Sequence, residues 1–217
     1  VDGLWARFDP MQLATRDAFQ ADPKLVWDWY NYRRDMMRGA KPNAGHHALT
    51  QLQKRFESLT IITQNIDDLH EQAGSTDIVR LHGSIAQNKC FNDCQGKPTL
   101  IDINGLNGTP PACPHCGAYV RPNVVWFGEL LPIDQVNAAY AALEMCDALL
   151  VIGTSGLVNP AAQMPAYVKR FGVTIIEVNP ESTPITRLAD IHLRGASGEL
   201  LPLVVAALND QTFSGHA

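Results

Sequence analysis

From Pro23 to Met37 the apolar residues Leu25, Trp29, Tyr32 and Met36 recur with the period of one helix face. Pro23 suits the first turn of that helix and Gly39 its end. A second helix is predicted after Pro42-Asn43, with Asn43 as its cap and Leu49, Leu52 and Phe56 turned towards a core. Beyond Phe56 the period changes. Short apolar runs predict strands at Leu59–Thr63, Ile78–His82, Asn123–Phe127, Ala148–Ile152, Thr174–Val178 and Ile191–Leu193. Helical patterns lie over Asp134–Cys146, Pro160–Phe171 and Gly198–Leu208.

Runs such as Leu149-Leu150-Val151-Ile152 and Thr174-Ile175-Ile176 are apolar on both faces, as a parallel sheet covered by helices requires. Alternation of strand and helix therefore points to an α/β fold with a doubly wound parallel sheet. The stretch from Ser84 to Arg121, rich in Cys, Asn, Gly and Pro, breaks this rhythm and reads as an insertion with its own stabilising device. No internal repeat interrupts the rest.

Composition agrees with a packed core: of 217 residues, 46% are hydrophobic and 18% charged. Seventeen Lys and Arg against 22 Asp and Glu leave a net charge of −5, which argues against a general nucleic-acid binder. No apolar run approaches the roughly 20 residues that span a bilayer, and Val1-Asp2-Gly3-Leu4-Trp5 has none of the features of a signal peptide. Five cysteines are too few for a secreted disulfide scaffold, so a reducing, cytoplasmic compartment is expected. The chain starts with Val rather than Met in a loop-like stretch, and reads as a fragment or trimmed form of a longer chain.

Cys90-x3-Cys94 and Cys113-x2-Cys116 form two close pairs separated by 18 residues. Each pair can aim two sulfurs at one ion from a tight turn, and two such turns complete a tetrahedron. Four thiolates leave no open position, so the expected Zn²⁺ is structural. Metal binding, worth about 10–16 kcal/mol in zinc-finger peptides, can hold a stretch too polar to fold by burial. Two disulfides would be the other use of these cysteines. His115 reads as a bystander, and Cys146 as a core residue ending an apolar helix.

Four predicted strands end in small or amide-bearing residues: Gln64-Asn65-Ile66-Asp67, His82-Gly83-Ser84, Gly153-Thr154-Ser155-Gly156 and Asn179-Pro180-Glu181. In open parallel sheets ligands bind beyond the carboxyl ends of the strands, so these loops predict one shared pocket. Amides there can bind ribose hydroxyls, and backbone N–H groups of Gly and Ser can approach phosphates. Ordinary turn chemistry uses the same residues; the case rests on four segments together. His82, between an apolar strand and a glycine, stands out as a general base. His46, His47, His70, His115, His192 and His216 carry no such signal.

Taken in order, Gln64-Asn65-Ile66-Asp67, Leu81-His82-Gly83, the four cysteines, Val125-Trp126-Phe127-Gly128-Glu129, Gly153-Thr154-Ser155 and Val178-Asn179 resemble the sirtuins, NAD-dependent protein lysine deacylases. The likeness is greatest to bacterial members of the class III, desuccinylase-type branch, and runs from Val1 to about Leu208. It implies a Rossmann-like NAD-binding domain (57–83 and 123–217), a zinc-binding module (84–122) and a helical part of the small domain (1–56). It also implies NAD as a consumed co-substrate, with acylated lysines of other proteins as partners and neither nucleic acid nor membrane. In the family, nicotinamide leaves NAD, the acyl oxygen captures the ribose carbon, and a base activates a ribose hydroxyl, releasing lysine and 2′-O-acyl-ADP-ribose. The resemblance assigns that base to His82 and the positioning of ribose and water to Asn65. Asp67 would hold the nicotinamide carboxamide, with Gln64 on the ribose and Ile66 in the same loop. Gly153 and Ser155 would meet the phosphates, Asn179 the adenosine ribose and Ala196 the adenine, with Thr154, Pro180 and Glu181 also among the cofactor-binding residues. Val125, Trp126, Phe127, Gly128 and Glu129 would pair with the substrate backbone like an added strand.

Tyr30 and Arg33, three apart, share a helix face. In the class III branch a Tyr-x-x-Arg pair so placed binds the distal carboxylate of succinyl- or malonyl-lysine, chemistry an arginine fork beside a phenol suits. Arg34 reads as a solvated neighbour. The family's opening strand and Gly-Ala-Gly turn have no counterpart here, so two strand edges are expected to lack a partner. Arg16 stands where many relatives have proline. The competing readings are a non-catalytic zinc-ribbon interaction module and a truncated sirtuin that only binds acyl-peptide.

Overall fold

The computed structural model describes residues 10–211; the opening Val1–Trp5 stretch lies outside them. In chain order the elements are α1 (Pro10–Leu13), α2 (Arg16–Ala21), α3 (Pro23–Arg38), α4 (Ala44–Arg55) and β1 (Ile61–Thr63). Then come α5 (Leu69–Gln72), β2 (Ile78–Arg80), β3 (Gly83–Cys90), β4 (Val120–Val124) and α6 (Ile133–Glu144). The last are β5 (Ala148–Ile152), α7 (Met164–Lys169), β6 (Thr174–Val178), β7 (Ile191–Leu193) and α8 (Ser197–Gln211). They form two compact units. One takes residues up to Ala40, Thr63–Asp68 and Arg80–Gln135; the other takes Lys41–Ile62, Leu69–Val79 and the chain from Val136 onward. Among the described residues no helix is long and apolar enough to cross a membrane.

In the first unit α3 is buried on two sides. Val26, Trp29 and Tyr30 join Leu13, Phe19, Ile85, Val124 and Trp126 in one core, while Trp27 packs on Cys90, Ile101, Cys113 and Val120 in another. Of the stripe expected from Leu25, Trp29, Tyr32 and Met36, Leu25 and Trp29 meet the first core, whereas Met36 is 64% exposed. The bulk of Trp27, Trp29 and Tyr30 decides which way the helix turns. Arg34 is not a solvated residue: it donates to the carbonyl of Ile85 (2.7 Å) and to Asn88 Oδ1 (2.7 Å), tying α3 to β3. β3 pairs antiparallel with β4, with an irregularity between Ser84 and Asn88. The strand expected at Asn123–Phe127 lies instead at Val120–Val124, and of the residues after it Trp126 is buried while Phe127 is exposed.

In the second unit β5, β6 and β7 form a parallel sheet in that order. Strand bounds here coincide with the apolar runs. α4 and α8 bury Ala48, Leu49, Leu52, Leu201 and Val205 with Ile61 and Val178. Phe56, expected in this core, caps the end of α4 at 47% exposure. Asn43 caps α4 as anticipated, accepting from the N–H groups of Gly45 and His46. β1 pairs with β2 in a separate ladder, so among the described residues β1 and β5 each have a strand on one side only.

Candidate functional site

In the first unit the loop after β1 is pinned through its carbonyls. The Gln64 carbonyl accepts from His82 Nδ1 (2.8 Å), that of Ile66 from the Ile85 N–H (2.9 Å) and that of Asp67 from Arg80 Nη1 (2.5 Å). The Asn65 N–H is taken by Thr63 Oγ1 at 3.0 Å. With the backbone held inward, the Asn65 side chain is left exposed. A carbonyl can only accept, so His82 carries its proton on Nδ1 and presents the Nε2 lone pair, the tautomer a base needs. Its own carbonyl receives the Val125 N–H (3.0 Å), which links the imidazole to the segment after β4. Gly83 follows at φ +75°, and a Cβ there would stand 2.2 Å from the Asn123 oxygen. Only glycine lets β3 start directly behind the histidine.

Segment Val125–Glu129 is held by an ion pair that the sequence reading passed over. Arg121 is fully buried in the middle of β4. It donates to Glu129 Oε1 (2.6 Å) and Oε2 (2.9 Å) and to the Val124 carbonyl (2.5 Å). Glu129 also accepts from the Trp126 N–H (2.9 Å) and from Arg16 Nη1 (3.3 Å). Both of its oxygens thus face the protein. Burial would raise the Glu129 pKa, but the Arg121 guanidinium outweighs it and holds the carboxyl below its ordinary value. Nothing in the sequence marked Arg121, which lies at the edge of the polar stretch from Ser84 to Arg121 rather than in an expected strand.

Tyr30 and Arg33 do share a face of α3. The Tyr30 hydroxyl accepts the indole N–H of Trp126 at 2.9 Å, and burial pushes its pKa up to about 12. The Arg33 guanidinium lies over Trp29 (4.9 Å) and Tyr30 (5.8 Å) and has no carboxylate partner among the described residues.

The four cysteines converge, with ligand atoms all within 4.8 Å of one another. Tetrahedral zinc with Zn–S bonds of about 2.3 Å places sulfurs about 3.8 Å apart. The pairs Cys90–Cys116 and Cys94–Cys113 stand at 3.5 and 3.9 Å, and none is in a disulfide. Burial opposes ionisation of Cys90, yet the N–H groups of Cys94 and Asn92 aimed at its sulfur bring its pKa down to about 7. Cys94 is driven up to about 12 by desolvation and by its neighbouring sulfurs, a conflict that a divalent cation removes. The donor set fits one structural Zn²⁺. His115 is exposed outside it.

In the second unit Gly153, Thr154, Ser155, Asn179 and Glu181 line one open depression of about 450 Å³. Leu157, Ser182, Thr183 and Pro184, which sequence reasoning missed, complete it. Their signal was the Thr-Pro pair, a cap followed by a helix start. Gly153 turns the chain off β5 at φ +60°. The Asn179 amide donates to the Thr154 carbonyl (2.8 Å) and accepts from the Glu181 N–H (3.3 Å), so it binds the two loops together. Beneath them Glu177, fully buried, accepts from the hydroxyls of Thr183 (2.5 Å) and Thr186 (2.5 Å). Pro180 and Ala196 are exposed and lie outside the lining.

The family model described as "Sir2 family" matches residues 1–160. An NAD-dependent protein deacylase of Methylococcus capsulatus is 47% identical over 214 residues, 96% of this chain and 84% of that protein. The solved structure of a Sir2 homolog–NAD complex superimposes with a TM-score of 0.87 at 41% identity, covering 97% of this chain and 81% of the other. Sir2Af2 bound to a myristoylated histone peptide gives 0.79 at 34% identity, covering 94% and 87%.

Proposed function

This chain belongs to the Sir2 family, and from that premise we propose that it removes the dicarboxylic acyl groups succinyl and malonyl from lysine side chains, in addition to acetyl. It is an NAD-dependent protein deacylase. Acylated segments of other proteins are its substrates in this reading, as the acylated histone peptide on Sir2Af2 suggests.

When bound, NAD supplies a ribose carbon from which nicotinamide departs. The residues of this chain then bind, orient and move protons. His82 Nε2 takes the proton of a ribose hydroxyl, its ring held by the Gln64 carbonyl. Asn65, exposed above its pinned loop, holds ribose and a water, with Gln64 and Ile66 beside it and Asp67 on the nicotinamide carboxamide. The turn Gly153-Thr154-Ser155 meets the phosphates; Asn179, Pro180 and Glu181 meet the adenosine ribose, and Ala196 the adenine. Val125–Glu129 receives the substrate backbone, held by Arg121. Cys90, Cys94, Cys113 and Cys116 hold one structural Zn²⁺, with no open position for chemistry.

The observation that carries the acyl reading is Arg33. A guanidinium packed over two aromatic rings, with no carboxylate partner among the described residues, is suited to an incoming one. Nicotinamide release from NAD with succinyl-lysine and acetyl-lysine peptides of one sequence tests it. Arg33→Met should raise the KM for succinyl-lysine roughly 10- to 100-fold, the loss of a charge-assisted contact, with a far smaller change for acetyl-lysine. Equal changes for both peptides would refute the pocket.

A further inference from the structure

Trp126 lies 2% exposed at the junction of three interactions. Its backbone N–H goes to Glu129 Oε2 (2.9 Å), its ring faces the Arg121 guanidinium at 3.3 Å, and its indole N–H goes to the Tyr30 hydroxyl (2.9 Å). An indole nitrogen only donates, so the phenol oxygen is the acceptor and the phenol proton must point elsewhere. Among the described residues that proton has no acceptor. The burial that raises the Tyr30 pKa to about 12 keeps it in place at neutral pH. Arg33 lies against the same ring, 5.8 Å from its centroid.

We propose that Trp126 is a positioning residue for acyl selectivity: by donating its indole N–H to Tyr30 it sets the direction in which the phenol donates, so that Tyr30 and Arg33 together address a carboxylate at the far end of the acyl group. Arg121 and Glu129 hold the indole in register, the first through its face and the second through its backbone N–H. A phenylalanine at position 126 would fill most of the same space and leave the phenol free to turn. The inference rests on the dicarboxylic-acyl reading above, and its test separates the two.

The test compares kcat/KM for succinyl-lysine and acetyl-lysine peptides, at saturating NAD, in the unaltered protein, Trp126→Phe, Tyr30→Phe, the double variant and Arg33→Met. Trp126→Phe should lower the succinyl-to-acetyl ratio about five- to tenfold, the size of one hydrogen bond. In the Tyr30→Phe background the same change should leave the ratio where it is. If Trp126→Phe lowers both substrates alike, or acts equally without the phenol, its role is only structural and the inference fails. If Arg33→Met leaves the ratio unchanged, the acyl reading itself fails. If Arg33→Met lowers the ratio and Trp126→Phe does not, only the present inference falls. Indole ¹⁵N–H resonances give a readout that needs no change at Trp126. The one displaced by Tyr30→Phe identifies Trp126, and it should move on adding succinyl-lysine peptide but not acetyl-lysine peptide; an equal response to both overturns the proposal.

Discussion

Which imidazole nitrogen of His82 carries the proton is decided by a carbonyl eighteen positions earlier in the chain, that of Gln64. If Nε2 is the base, His82→Ala should reduce turnover by at least about 10²- to 10⁴-fold. Nicotinamide release together with metal analysis would check this, since zinc content should stay unchanged. Glu129 shows the same dependence on distant partners. Its folded pKa is depressed, so its contribution to stability is present above the ordinary carboxyl value of 4.5 and is lost as pH falls below it. Urea midpoints of the unaltered protein and of Glu129→Gln should accordingly differ at pH 7 and converge as the pH falls below the ordinary carboxyl value. Arg121→Met should cost about 3–5 kcal/mol, because it leaves a buried carboxylate without its main partner. The histidine was legible from its place after an apolar strand; the engagement of both Glu129 oxygens was not, for nothing local marks it.

Elements were readable where periodicity is local. β5, β6 and β7 coincide with their apolar runs because a short parallel strand is marked by little else in the sequence. The start of α4 was equally plain. Asn43→Ala should lower stability by about 1 kcal/mol, read as a fall in the thermal midpoint, since two N–H groups lose their acceptor. β3 escaped notice. Gly-Ser-Ile-Ala-Gln-Asn-Lys-Cys is mostly polar and carries an irregularity, and its pairing with β4 is stabilised by partners that no window of sequence contains. α3 was found as a helix with part of its expected stripe inward: Leu25 and Trp29 meet the core and Met36 does not. Apolar residues at 25, 26, 27, 29, 30, 32 and 36 allow more than one stripe, and the packing of Trp27 and Trp29 into two cores chooses between them.

At the scale of the molecule the two units rest on different devices. The sheet β5–β7 is covered by apolar helices, whereas the chain between β3 and β4 converges on four sulfurs. Chelation of zinc should therefore expose residues 84–122 to protease well before the part from Val136 onward. Peptide mapping during limited proteolysis, with and without chelator, would show this order; simultaneous cleavage of both would contradict it.

By itself the sequence determined the α/β class, the metal-binding cysteines, the cap of α4 and the loops that bear the polar residues. These depend on spacing and periodicity, which act between near neighbours. Tertiary structure alone decided the tautomer of His82, the inward capture of Glu129 by Arg121, the anchoring role of Arg34 and the bond from Trp126 to Tyr30. Each of these is a directional hydrogen bond or ion pair whose partner lies elsewhere in the chain, and direction exists only once the backbone has been placed.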